Sequence, residues 1–434
     1  MFVLLLASSL VYTIDGGSGS DYCGRSEIPP YSPPPQSSMV EEGQVHVFFR
    51  HGARTDFQRT PSCFKNKAQT RYSCSLFSEF QFGSAKGTLV KRYKSGCQVG
   101  QLLDYAETQM NRLAAYIGSA YPRTEWKYLR STDTVRTLGS LELLLSALFA
   151  SLESEEKKFF NVHVEDADID PLLMANNECE LANMLEGQFP SSQAFLATTN
   201  QSEYFNACAN LWKDEIGTDF SIENSPDCLL APDCAGSDAQ YPPNIKPPSK
   251  ELTACVANVH STVMATKYGA LASPDWQANG IKMCQLRIAP FLIDFFHLVH
   301  NRTSSLWSTH DDTIACLLAS VGLWDGVWPK YAGFVAFETF SDHTRIRVLR
   351  DGSEIGWIQS IDLIVPEWMR DPLSYATACQ PQVQDEDSSN ARWETLIRTS
   401  LKATTLIGIG AFLFNLYPVS SCLYCTHHLV TGDF

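Results

Sequence analysis

The sequence predicts an α/β protein: a sheet flanked by helices on both faces, with a mostly helical cap inserted. Three observations predict it. Short β-rich runs alternate with helix-patterned stretches in 40–152 and again in 303–375. Between those blocks, in 153–302, the texture changes: Cys, Asn and Pro become frequent, and the longer patterned stretches are helical. At 434 residues, the chain has length for two to three domain-sized units, or for one large α/β unit with an insertion. A composition of 44% hydrophobic and 11% aromatic residues supplies a core and excludes a wholly disordered chain. Collagen-like and polytopic membrane classes are excluded as well.

Each element follows in order. Pro29 to Ser38 is Pro-rich and reads as an extended lead-in. Gln44 to Phe49 (QVHVFF) is a β-rich run that ends at Arg50, where polar residues and Gly52 begin. Val99 to Ile117 carries a helical pattern, and Trp126 to Leu129 reads as a short strand ending at Arg130. Thr137 to Leu152 reads as a buried helix, too short and too often interrupted by polar residues to span a bilayer. In the inserted block, Val259–Ala272 and Cys284–His300 look helical, whereas Leu229 to Lys250 is almost all turn formers. A strand returns at Ser304–Ser308, followed by Thr309-His310-Asp311 and a helix from Asp312 through Val321. Phe334–Phe340 and Arg345–Leu349 look like closing strands, with Asp351-Gly352 as the next turn.

The ends and the cysteines bear on compartment. Residues 1–18 open on an apolar, Leu-rich stretch followed by small residues, which reads as a signal peptide. A polar connector (380–402) leads to 404–424, an uncharged stretch of bilayer-spanning length, read as a single-span anchor before a short tail, 425–434. Of the 14 cysteines, the first twelve are scattered with no metal-ligand repeat, which suits disulfides in an oxidising compartment. Sequons at Asn200 and Asn301 fit a secretory route to the lysosome, the cell surface or the medium. Charge adds a further exclusion: 33 Lys+Arg against 48 Asp+Glu gives −15, which argues against a nucleic-acid partner. A small anionic substrate remains compatible, because a local arginine cluster can dominate one pocket.

Three predicted strand ends carry polar groups: Arg50, His51 and Arg54; Arg130; and His310 with Asp311. In open α/β sheets ligands bind at the carboxyl ends of strands. Arginines presented together suit an oxyanion with several equivalent oxygens, because the guanidinium fork matches phosphate geometry. A histidine among them has a neutral ring nitrogen able to attack phosphorus, and a nearby carboxyl group can protonate the leaving oxygen.

The stretch Arg50-His51-Gly52-Ala53-Arg54-Thr55 resembles the RHGxRx signature of the histidine acid phosphatases. Arg130-Ser131-Thr132-Asp133 with Arg136-Thr137 resembles that family's RSTDxxRT segment, His310-Asp311 its HD motif, and WPKYAGFVAFE its P-x-Y-A…E region. The resemblance covers roughly residues 40–370. It implies a phosphatase of small phosphate monoesters, often a homodimer. Its nucleophile would be His51 and its proton donor Asp311. Arg50, Arg54, Arg130 and His310 would bind the phosphate, with no metal and no cofactor. A phosphatase restricted to one class (phosphosugar, inositol phosphate or lysophospholipid) is an alternative within this chemistry. A catalytically weak phosphate-binding ectodomain is an alternative outside it. The departure from the pattern is Asp56, where the family usually has proline. It removes a fixed φ and adds a carboxylate near a cationic pocket.

Overall fold

The computed structural model describes residues 22–33, 43–57, 70–76, 79–84, 87–92, 97–150, 160–167, 170–173, 179–222, 225–236, 239–241, 246–272, 274–340, 345–381 and 427–430. The signal segment 1–18 and the anchor segment 404–424 lie outside the described residues. Among the described residues no helix is long and apolar enough to cross a membrane.

Strand β1 (Gln44–Arg50) is buried along its whole length, as a central strand covered on both faces must be. The other strands are β2 (Arg71–Tyr72), β3 (Glu79–Ser84), β4 (Gly87–Arg92), β5 (Trp126–Ser131), β6 (Phe160–His163), β7 (Ala239–Gln240), β8 (Ser304–Thr309), β9 (Phe334–Thr339), β10 (Ile346–Arg350), β11 (Ser353–Ile358) and β12 (His427–Val430). The main sheet runs β11-β10-β9-β1-β8-β5-β6-β12-β3-β4, and β2 pairs with β7 apart from it. Strands β1, β8, β5 and β6 are parallel. The closing strands β9, β10 and β11 are antiparallel, and β10 turns into β11 at Asp351-Gly352, both at positive φ. Register pairs Arg50 with Thr309 and Ser131 with Ser308, so β1, β5 and β8 finish together on one sheet edge.

Side chains alternate along β1 with period two. Val45, Val47 and Phe49 enter one core with Met110 and Leu113 of α1 (Tyr105–Ala120) and Leu141 and Leu144 of α2 (Val135–Phe149). Phe48 faces the other way, stacked on Trp307 at 5.0 Å and surrounded by Phe291 and Phe295. The remaining helices are α3 (Glu180–Gln188), α4 (Gln193–Thr198), α5 (Glu203–Glu215), α6 (Ser225–Ala235), α7 (Lys250–Lys267), α8 (Pro274–His300), α9 (Asp311–Ser320) and three short ones, α10 (Ile361–Ile364), α11 (Glu367–Arg370) and α12 (Pro372–Ala378). Helices α8 and α9 supply the second core, so helices cover both faces of the sheet, as expected.

Two local expectations are corrected. Helix α1 starts at Tyr105 rather than Val99, because residues 98–103 are used instead to pair with the loop after β1 (Thr55 N to Gln101 O, 2.8 Å; Leu103 N to Ala53 O, 2.9 Å). The turn-rich reading from Leu229 missed α6, which contains Pro232 yet buries Cys228, Leu229, Leu230 and Cys234. Disulfides join Cys23–Cys234, Cys74–Cys97, Cys179–Cys379, Cys208–Cys255 and Cys284–Cys316.

Candidate active site

The end of β1 delivers Arg50 into the interior. Its Nη1 donates to Pro329 O (2.8 Å), its Nη2 pairs with Asp311 Oδ2 (2.8 Å), and its guanidinium lies 3.9 Å from the Tyr331 ring centroid. The chain then turns across α1. A side chain at Gly52 would meet Ala106 Cβ at 2.5 Å, so only glycine permits this approach. Gly52 N donates to Ser140 Oγ (3.0 Å) and Ala53 N to Gln109 Oε1 (2.7 Å).

His51 Nδ1 lies 2.8 Å from Gly52 O. A carbonyl only accepts, so Nδ1 carries the proton and Nε2 keeps its lone pair. Burial, then the Arg136, Arg50, His310 and Arg54 charges, hold the His51 pKa well below the usual histidine range. The neutral form is therefore the resting one.

Arg54 Nη1 donates to Thr55 O (2.9 Å) and to Asp227 Oδ1 of α6 (2.8 Å). The loop that carries Arg54 is pinned by an Arg54–Leu102 bridge and by Gly100 N on Asp56 O (3.2 Å).

His310 caps the start of α9, and its Nε2 lies 3.0 Å from Thr132 Oγ1. Burial, Arg136 and the other arginines keep it neutral, well below the usual range. Asp311 Oδ2 also accepts from Trp328 Nε1 (3.0 Å), and its Oδ1 from Asp312 N (3.1 Å). Burial pushes the Asp311 carboxyl up, but Arg50 and Arg54 outweigh it and hold the pKa down at about 2. Asp312, by contrast, is pushed up to about 7 by burial and by the Asp311 charge.

Five of the six predicted residues therefore converge: Arg50, His51, Arg54, His310 and Asp311. Arg130 does not join them. Its Nη2 pairs with the wholly buried Asp170 at 2.7 Å and lies 3.5 Å from Glu165. Its place is taken by Arg136, from the first turn of α2, whose Nη2 lies 3.5 Å from His310 Nδ1 and whose charge is the foremost one acting on His51. Sequence reasoning chose the strand end and missed the helix start six residues on. Two signals were available: the RSTDxxRT resemblance, which includes Arg136, and Thr134, whose side chain caps α2 and so places Arg136 in its first turn. Phe57, Asp227, Trp328 and Tyr331 were also missed as site residues.

The Nε atoms of Arg50, Arg54 and Arg136 and the Tyr331 hydroxyl are buried without a partner among the described residues. Buried donors left unpaired are costly, and several around one histidine suit a multiply oxygenated anion. The Cys23, Asp233 and Cys234 grouping, the one candidate metal cluster among the described residues, has both sulfurs committed to a disulfide.

Residues 43–238 match the histidine phosphatase superfamily (branch 2), and the chain carries a domain of that superfamily. The chain is 25% identical over 335 residues to the testicular acid phosphatase of Mus musculus, covering 72% of this chain and 70% of that protein. It is 23% identical over 300 residues to a probable acid phosphatase of Schizosaccharomyces pombe, covering 64% of this chain and 62% of that one. Among solved structures, the Klebsiella sp ASR1 phytase aligns with a TM-score of 0.44 at 13% identity, over 77% of this chain and 86% of that chain. The D. castellii phytase aligns with a TM-score of 0.44 at 13% identity, over 83% and 85% respectively. The matched domain and the relatives named acid phosphatases support a phosphatase enzyme.

Proposed function

We propose that the protein hydrolyses small phosphate monoesters through a phosphohistidine at His51. The observation that carries this reading is the His51 ring. Its Nδ1 proton is given to Gly52 O, its Nε2 is left for attack, and three guanidiniums surround it. Arg50, Arg54 and Arg136 take the phosphate oxygens and stabilise the charge spread over them during transfer. Nε2 forms a bond to phosphorus as the bond to the leaving oxygen breaks.

That leaving oxygen takes a proton from Asp311. The resting Asp311 is ionised because Arg50 and Arg54 stabilise its charge. A bound phosphate cancels those charges and lets the carboxyl take up the proton it must deliver. In the second half, the Asp311 carboxylate accepts a proton from water. The water oxygen attacks phosphorus, the P–N bond breaks, and inorganic phosphate leaves with His51 regenerated.

The disulfides fit an extracellular or lysosomal setting, as does exposure of the sequon residues Asn200 and Asn301. The test is phosphate release from p-nitrophenyl phosphate across pH, beside His51→Ala and Asp311→Ala. Turnover highest at acid pH and abolished in His51→Ala is expected. A folded, phosphate-binding but inert native protein contradicts the reading.

A further inference from the structure

Asp227 makes a contact that the hydrolytic scheme above does not use. It sits in the first turn of α6, 173 residues from Arg54 in sequence, and reaches across to the phosphate site. One carboxylate oxygen accepts from Arg54 Nη1 at 2.8 Å, and the other accepts from the backbone N–H of Phe57. The Phe57 ring in turn lies 3.9 Å from the Arg54 guanidinium and 4.7 Å from that of Arg136. A single carboxylate thus holds one arginine directly, and fixes the base of the aromatic ring against which both arginines rest.

The direction of the Arg54 contacts decides what Asp227 does. Nη1 carries two protons, and both are used, on Thr55 O and on Asp227. Nε is buried and has no partner among the described residues. Nε–H and Nη2–H form the side-on fork that matches two phosphate oxygens. Asp227 therefore occupies the edge of Arg54 that a phosphate does not need, and aims the edge that it does.

Helix α6 is itself held from behind. Cys234, in its last turn, is joined to Cys23, and the pair lies in one buried cluster with Ala53 and Tyr331. The adjoining Tyr22 hydroxyl lies 3.4 Å from Arg50 Nη2, and Cys23 O accepts from Gln109 Nε2 (2.7 Å), the residue that also binds Ala53 N. The disulfide joins a segment touching Arg50 to a helix touching Arg54.

We propose that Asp227 is a positioning residue for the phosphate cradle, carried into place by α6 and held there by the Cys23–Cys234 disulfide. This rests on the phosphate-site reading of Arg50, Arg54 and Arg136, and does not require turnover. The test is calorimetric binding of inorganic phosphate to the full chain, with KM and kcat for p-nitrophenyl phosphate measured alongside. Asp227→Ala is expected to weaken phosphate binding and raise KM about ten- to a hundredfold, with a smaller loss in kcat. Asp227→Asn, which keeps an acceptor for Arg54 but turns a donor toward Phe57 N, falls between the two.

The paired Cys23→Ser and Cys234→Ser variant reproduces the defect, and adding Asp227→Ala to it costs little more. The paired Cys208→Ser and Cys255→Ser variant, which unlinks α5 from α7, leaves phosphate affinity unchanged. Tighter phosphate binding in Asp227→Ala would make the carboxylate a competitor and overturn the proposal. Unchanged binding in both Asp227 variants would reduce the contact to a surface ion pair and overturn it as well. A native protein that binds phosphate, loses it in Asp227→Ala and never turns over substrate upholds the positioning role and removes the hydrolytic reading.

Discussion

Arg130 and Asp170 form a 2.7 Å ion pair with both side chains buried, while Arg136 stands 3.5 Å from His310 in the proposed phosphate site. Two arginines of one short segment therefore have separate tasks. Removing one partner of a buried pair leaves an uncompensated charge, so Arg130→Ala should lower unfolding stability by about 3–5 kcal/mol. Arg136→Ala removes a charge aimed at the phosphoryl group and should lower kcat/KM by roughly two to three orders of magnitude, with little change in stability. Denaturant unfolding and steady-state kinetics on both variants check this. Equal kinetic losses at matched stability would contradict it.

Trp328 donates to Asp311 Oδ2 and so favours the ionised carboxylate. Trp328→Phe removes that donor, raises the Asp311 pKa, and should move the alkaline limb of the kcat profile, which reports Asp311 with substrate bound, upward by about half a unit to one unit. A profile that stays in place would show that another group delivers the proton.

The contribution of the buried histidines to stability should fall with acidity. Burial, with the site arginines at His51 and His310, keeps His46, His51, His260 and His310 neutral, with His46 pushed down to about 3 and His260 to about 4. Their folded pKa values lie below the unfolded value near 6.5, so this contribution is full above that pH and is lost as pH falls toward the folded values. Asp312, raised to about 7, acts in the opposite sense, giving stability at low pH that is lost as pH rises from the unfolded carboxylate range through 7. Asp170 and Asp294, both pushed up to about 6 by burial, and Glu142, Asp233 and Glu338, also raised by burial, act in the same sense as Asp312 and oppose the histidine loss on acidification. Bound phosphate restores favourable charging of His51 and His310, so inorganic phosphate should raise Tm more at pH 4.5 than at pH 7. A phosphate effect equal at both pH values would count against the charge arrangement.

The Cys179–Cys379 bond closes a separation of 200 residues, joining the start of α3 to the end of the short helix Pro372–Ala378 that follows β11. Replacing both cysteines with serine should cost about 2–5 kcal/mol of stability without altering KM, since neither residue approaches the phosphate site. Thermal unfolding beside substrate titration checks both halves of that statement.

The parts of the fold legible in sequence were those that local pattern determines. β1 and β8 are unbroken buried runs ending in polar residues, and the turn at Asp351-Gly352 carries its own signal. Arg50, His51, Arg54, His310 and Asp311 could be found because each lies at or just past a strand end. Arg136 could not be found by that rule, because it belongs to the next helix. Helix α6 was hidden by Pro232 and by its Cys and Asp content, and it owes its place to burial and to a disulfide spanning 211 residues. The Asp227–Arg54 contact has no local signature at all, since the fold alone brings the two together.

The central claim is covalent chemistry at one ring nitrogen. Native protein mixed with phosphate-labelled substrate and quenched within one turnover should carry an acid-labile, base-stable label that peptide mapping places on His51, and that vanishes in His51→Ala. Asp311→Ala should slow its formation from poor leaving groups. Label on a serine or cysteine, or turnover with no labelled protein at any quench time, would contradict the account.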